Sequence, residues 1–283
     1  MKNLKYLFQS IPILFLFLIF RLIGINLSTK FSGNLFMIIG PIFRSNKICN
    51  KNLDLAFPNL NQIEKKYLIK KMWYNYGCIF AEYVFIKKLR NSKNIIVENQ
   101  NILEDIKTNT EPVIFISGHF NNFELMAMEI DKAGINLAAI YRPLNNPFLN
   151  IIMEKIRKNH ICRYQIKKGK SGTRELLELF KKKFSIALMI DQRVSEGISV
   201  DFFKRLAKTT TIPAQLVKKY ACKVVPVYIE RINKYNFKLT FNEPIVFSKN
   251  LAIEEITLEL NKILEKMILK NPDQWIWSHD RWK

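Results

Sequence analysis

Histidine is scarce in this chain of 283 residues: there are three, His119, His160 and His279. Any imidazole chemistry therefore rests on one of three candidates. The four cysteines, Cys49, Cys78, Cys162 and Cys222, lie far apart and form no CxxC pair. That excludes a zinc ribbon and a thioredoxin-type redox centre and fits a reducing compartment. HExxH is absent and the histidines are remote from one another in sequence, so neither a metal site nor a cofactor is expected. No internal repeat, low-complexity tract or Gly/Ser/Pro linker divides the chain. Acids are also short: 24 Asp plus Glu face 45 Lys plus Arg, a net charge of +21. This balance points to a polyanionic partner, whether nucleic acid, an anionic membrane surface or a phosphorylated substrate. The plainer alternative for part of the excess is compositional: most of the basic residues are lysine in a chain rich in Lys, Asn, Ile and Phe, the bias that an AT-rich genome gives without selection for charge. An apolar fraction of 48% is enough for a packed core and excludes disorder as the main state.

The first 60 residues read differently from the rest. Leu7 to Phe20 is almost wholly apolar (LFQSIPILFLFLIF), and Asp54 is the only acid before residue 61. Fifteen residues separate Lys5 from Arg21, fewer than the roughly 20 that cross a bilayer, although a snorkelling Arg21 would extend the run. A spanning helix and an interfacial helix are both compatible with this pattern. A cleaved signal peptide is disfavoured, since no small-x-small site follows and residues 31 to 43 are apolar again. Arg21, Lys30, Arg44, Lys47 and Lys51 follow the run, and the positive-inside rule then predicts a body on the cytoplasmic side. We read residues 1–60 as a hydrophobic and basic membrane anchor and residues 61–283 as the catalytic domain.

From residue 62 a long helical stretch runs to Leu89, with Lys65, Lys66, Lys70 and Lys71 among Trp73, Tyr74 and Tyr76. Short apolar runs then alternate with helical ones. Strands are predicted at 113–117, 135–141, 185–190, 224–229 and 237–241, and helices at 123–133, 147–159, 172–183, 212–220 and 253–269. Alternation of this kind predicts a single layered α/β domain with a mostly parallel central sheet flanked by helices.

The stretch with most chemistry is VIFISGHFNNFE, residues 113 to 124, where a buried-type strand ends in Gly118-His119. A helix is expected to begin after Asn121 or Asn122 as N-cap. On one continuous helix His119 and Glu124 would face different ways. They converge only with His119 in the turn and Glu124 in the first helical turn. His119 then fits a general base, its other ring nitrogen oriented by Glu124, taking a proton from an alcohol that attacks an acyl carbonyl. The plainer alternative makes His119 a hydrogen-bonded loop residue and Glu124 a complement to the helix dipole.

Further motifs follow in order: YRPLNNP at 141 to 147, a basic helix carrying Arg157, KKGKSGTRE at 167 to 175, a strand ending in Asp191-Gln192, VDFFKRLAKTTTIPAQLVKKYACKVVPVY at 200 to 228, and PDQWIWSHDRWK at 272 to 283. With GHFNNFE and the DLAFPNL segment at 54 to 60, the chain resembles the late acyltransferases of lipid A biosynthesis, the lauroyl/myristoyl acyltransferase family. The resemblance implies a glycerolipid-acyltransferase-like fold, a catalytic pair of His119 and Glu124, and Arg157 and Asp191 as substrate-binding residues of the same site. Arg157 would offer a fixed fork to a phosphate or an oxyanion. Asp191, at the end of an apolar strand, calls for a partner, an arginine or a substrate hydroxyl. Two departures stand out: the family often has Gly-Asn-Trp where this chain has Asn121, Asn122 and Phe123, and a glycine where it has Lys204. The terminal Trp275, Trp277 and Trp282 read as an aromatic tail closing over the core, and His279 is given no chemical part.

The resemblance implies transfer of a fatty acyl chain from an acyl carrier protein thioester to a hydroxyl of a phosphorylated glycolipid acceptor, of the Kdo-lipid IVA type, at a bacterial inner membrane. The nearer alternative is a related acyltransferase acting on a glycerolipid, an aminolipid or a glycosylated phospholipid. The further one is a non-enzymatic basic protein that binds membranes or nucleic acid. No nucleic-acid motif supports the latter, and no nucleic-acid partner is expected.

Overall fold

The computed structural model describes residues 2–44 and 46–283. Nine strands form among the described residues: β1 (Ile95–Glu98), β2 (Ile114–Ser117), β3 (Leu137–Tyr141), β4 (Tyr164–Lys167), β5 (Ser185–Met189), β6 (Ile198–Phe202), β7 (Arg205–Thr209), β8 (Val224–Asn233) and β9 (Asn236–Phe241). Seven make one sheet in the order β1-β9-β8-β2-β5-β3-β4, and β6 pairs with β7 in a separate hairpin. Every neighbouring pair in the large sheet is parallel except β8 with β9. β2 is buried at all four positions, as expected of a parallel strand covered on both faces. This is the mostly parallel α/β architecture that the alternation predicts. β1 and β4 occupy the two edges, where half-exposed side chains replace the continuous apolar run that marks a buried strand.

The helices are α1 (Lys2–Phe43), α2 (Asn46–Ala56), α3 (Gln62–Glu82), α4 (Ile86–Arg90), α5 (Gln100–Asn109), α6 (Glu124–Lys132), α7 (Pro147–His160), α8 (Lys170–Lys181), α9 (Ile212–Tyr220) and α10 (Ile253–Lys270). α3 starts on a capping box: the Asn61 side chain accepts from the backbone N–H of Ile63 and Glu64, and Glu64 reaches back to the Asn61 N–H. It stops at Glu82, and a 3-10 turn separates it from α4, so the helical stretch expected to run from 62 to 89 is broken.

The N-terminal helix is long and apolar enough to cross a membrane from Asn3 to Ile42, yet it bends at Gly24 (φ 77°) and lies along α3. Small residues set this contact. A Cβ on Gly77 of α3 would run into the Ser32 carbonyl of α1, and one on Gly33 or Gly40 would meet the rings of Tyr74 or Trp73. Phe20 is buried there as well, its ring edge-on to Phe80 of α3. The first turns are tied down as well, since the Asn146 side chain, which caps α7, donates to the Tyr6 carbonyl at 2.8 Å and accepts from the Ser10 hydroxyl at 3.1 Å. The opposite face exposes Phe8, Phe15, Leu22 and other large apolar side chains.

Candidate active site

Sheet register brings two of the candidates together. β2 and β5 pair with Ser117 opposite Met189, so running both strands two residues past that pair sets His119 beside Asp191. The His119 Nδ1 lies 2.7 Å from Asp191 Oδ1, and the His119 backbone N–H donates to Oδ2 at 2.8 Å. The Trp275 indole N–H donates to the same Oδ2 at 2.8 Å. Burial alone would push the Asp191 carboxyl up, but the His119 ring and these donors outweigh it and hold it down at about 2. A carboxylate against Nδ1 keeps the ring proton there and leaves the lone pair on Nε2. His119 lines a cavity of about 620 Å³, and Gln192 presents its side-chain amide 3.4 Å from Nε2.

Glu124 is occupied elsewhere. Its Oε1 accepts from Arg157 Nε at 2.8 Å, from Arg157 Nη2 at 2.6 Å and from the Tyr83 hydroxyl at 2.6 Å. Burial would lower the Arg157 pKa, but the adjoining carboxylate more than offsets this and raises it. The expectation that Glu124 orients the second ring nitrogen of His119 is therefore corrected: Asp191 does. Glu124 opens α6 and turns towards α7, where a buried guanidinium requires a counter-charge. The expected partners of Asp191 are corrected too. Its oxygens are taken by His119 and Trp275, and it is 1% exposed. The guanidinium fork of Arg157 is spent on Glu124, which leaves Nη1 without a protein partner. His119, Glu124 and Arg157 all line the one cavity, with Asp191 behind His119.

The asparagines of the motif do not cap α6. Phe123 stands at the N-cap without a side-chain bond, and Asn121 takes a left-handed conformation (φ 38°). Both amides reach back to a buried ion pair between the end of α3 and β8. Arg231 Nη1 donates to Glu82 Oε1 at 2.5 Å and Arg231 Nε to Asn121 Oδ1 at 3.1 Å, while Asn122 Nδ2 donates to Glu82 Oε2 at 3.0 Å. The loop carrying His119 is thus seated on fixed charge.

Three contributors escaped the sequence reading. Tyr83 carries no motif and is found only through its bond to Glu124. Trp275 reads as tail packing, yet its indole holds Asp191, and a bridge between Phe120 and Trp275 joins the tail to the loop carrying His119. His279 lines the cavity, and its Nε2 accepts the Arg193 backbone N–H at 3.0 Å. Burial pushes this imidazole down, which favours the neutral form that the bond needs.

The profile of the family described as bacterial lipid A biosynthesis acyltransferase matches residues 1–283. Among curated relatives, the chain is 22% identical over 233 residues to "Lipid A biosynthesis acyltransferase 2" of Shigella flexneri, covering 80% of this chain and 74% of that protein. It is 24% identical over 248 residues to the lipid A biosynthesis palmitoleoyltransferase of Escherichia coli K12, and 23% identical over 251 residues to the lauroyltransferase of the same strain. Each of these alignments covers 85% of this chain and 79% of the relative.

Proposed function

The chain belongs to the bacterial lipid A biosynthesis acyltransferase family and is an O-acyltransferase, and from that premise we propose that His119 is its general base, with acyl carrier protein as donor and a phosphorylated lipid A precursor of the Kdo-lipid IVA type as acceptor. His119 Nε2 takes the proton of an acceptor hydroxyl as that oxygen attacks the thioester carbonyl. The O–C bond forms, the C–S bond breaks, and the proton passes to the departing thiolate. Asp191 keeps the ring in the competent tautomer and balances the imidazolium. Glu124 and Arg157 line the cavity wall beside it, and Tyr83 holds Glu124 from behind. One observation carries the reading: the Asp191–His119 pair stands at the carboxyl edge of the sheet with Nε2 free of any carboxylate.

Two further features support it. Arg44, Arg142 and Lys168 line the same cavity, and none forms a salt bridge among the described residues, so the cavity offers positive potential to a phosphorylated lipid and to an acidic carrier. Burial pushes all four thiols up to about 12, which disfavours a cysteine nucleophile. The anchor within residues 1–60 is read as lying in the membrane plane, because the inner face of α1 is committed to α3 and α7 and only its outer face is available to lipid. We place the body on the cytoplasmic side of the inner membrane.

The test is acyl transfer with purified protein, acyl carrier protein thioesters and candidate lipid acceptors, with the product identified by mass. His119→Ala is expected to lower turnover roughly 10² to 10⁴-fold while leaving the fold intact. A folded His119→Ala protein with near-normal transfer removes the base from the mechanism.

A further inference from the structure

A second concavity lies on the flank of the molecule. It is a groove of about 720 Å³ between the first half of α1, the 3-10 turn after α3, α4 and α7. Its wall is apolar, with Leu14 and Leu18 from α1 and Ile156 from α7, and Arg21, Lys87 and Lys88 are its cations. Among the described residues, no Asp or Glu lines it. None of the three cations takes part in a salt bridge among the described residues, and all three are exposed. The groove shares no lining residue with the reaction cavity.

We propose that this groove is a site for one anionic phospholipid of the membrane, distinct from the acceptor. Three observations select that occupant. Leu14 and Leu18 belong both to the groove wall and to the exposed apolar face of α1, so an acyl chain enters from the lipid without crossing water. Arg21 follows Leu18 by three residues, which puts the charged end of the groove about one helical turn, ~5 Å, beyond its apolar end on the same face. That is the spacing of a headgroup phosphate above the first methylenes of its chain. An acid-free set of three cations complements a phosphodiester and disfavours a zwitterionic headgroup, whose own cation would find no counter-charge.

The full-length protein in non-ionic detergent is titrated with dioctanoyl phosphatidylglycerol, dioctanoyl phosphatidylcholine and inorganic phosphate, and binding is read by calorimetry. Saturable binding of one phosphatidylglycerol is expected, about tenfold or more tighter than phosphatidylcholine, with no binding of inorganic phosphate at the same concentrations. K87E/K88E should weaken phosphatidylglycerol about tenfold or more, and K66E/K70E, the same charge change on the exposed face of α3, should leave it unchanged. If K87E/K88E loses its thermal transition, the doubly truncated K87A/K88A variant is read instead. Equal affinity for the two lipids, or equal loss in the K66E/K70E control, overturns the site. Binding of inorganic phosphate as tight as that of phosphatidylglycerol overturns the lipid as its occupant.

Discussion

Replacing Asp191 by Asn tests the geometry of the base without changing volume. The carboxylate accepts three hydrogen bonds, from the His119 backbone, His119 Nδ1 and the Trp275 indole. An amide has one oxygen and one NH₂, so it cannot accept from donors on both of its terminal atoms. The backbone N–H and the indole share Oδ2, which leaves the NH₂ group facing Nδ1. The imidazole must then accept at Nδ1 and carry its proton on Nε2, where it can no longer take one from a hydroxyl. Turnover should fall about 10³ to 10⁴-fold, the order seen when a carboxylate behind a catalytic histidine becomes an amide. The acid stability changes too. With its pKa held at about 2 against an ordinary 3.8, Asp191 binds fewer protons folded than unfolded between those values. Its contribution is therefore present above pH 4 and lost as pH falls towards 2, and the shift corresponds to roughly 2 kcal/mol. Acyl transfer from pH 5 to pH 8 and thermal unfolding from pH 2 to pH 8 would be measured for both proteins. The variant should be slow at every pH and lack this acid-dependent loss. A folded Asp191→Asn protein that transfers acyl groups within tenfold of the wild type would refute the assignment of Asp191 to His119.

Arg157→Lys should lower both activity and thermal stability, because a lysine cannot supply the Nε and Nη2 donors that meet Glu124; a cost of about 1–3 kcal/mol is expected, and unchanged stability would contradict the buried pairing. Lys204→Gly should stabilise the fold by about 1 kcal/mol, read as a raised melting temperature, since Phe203 and Lys204 form the two-residue turn of the β6–β7 hairpin and both have positive φ. Phe8→Glu, Phe15→Glu and Leu22→Glu together should release the protein from vesicles in a flotation assay with its melting temperature unchanged, each lost apolar side chain removing about 1.5–3 kcal/mol of insertion energy. Retention of the triple variant on vesicles would place the anchor elsewhere.

The central strands were legible because parallel strands covered on both faces become continuous apolar runs: Ile114–Ser117 and Ser185–Met189 are such runs. The edge strands β1 and β4 were not, because an edge position relaxes the demand for burial on both sides. The N-terminal helix was read as an anchor from hydropathy, which reports apolar character and not which face is used. Its packing face is written in small residues, Ser32, Gly33 and Gly40, whose role depends on Gly77, Tyr74 and Trp73 of α3, more than thirty positions away. Two departures from the resembling family have a backbone explanation. Asn121 and Lys204 stand where glycine is common in the family, and both have positive φ. Asparagine tolerates that region and lysine does so at greater cost.

The candidate site shows why naming residues is easier than pairing them. His119, Glu124, Arg157 and Asp191 each stand at a recognisable sequence position, and the fold brings the first three to one cavity with Asp191 behind His119. Their partnership was unreadable locally: His119 and Asp191 are 72 residues apart and meet because β2 and β5 keep a constant register over four residue pairs. A one-residue slip in that pairing would turn the carboxylate to the opposite face of the sheet. The His119 ring is then held by the sheet's hydrogen-bond ladder, by the buried Glu82–Arg231 pair under its loop and by the Trp275 indole behind the Asp191 carboxylate. Glu124, five residues from His119 and the nearer acid in sequence, is drawn away because Arg157 is buried and must be neutralised where it lies. Local spacing proposed one pairing, and the long-range demands of register and buried charge selected the other.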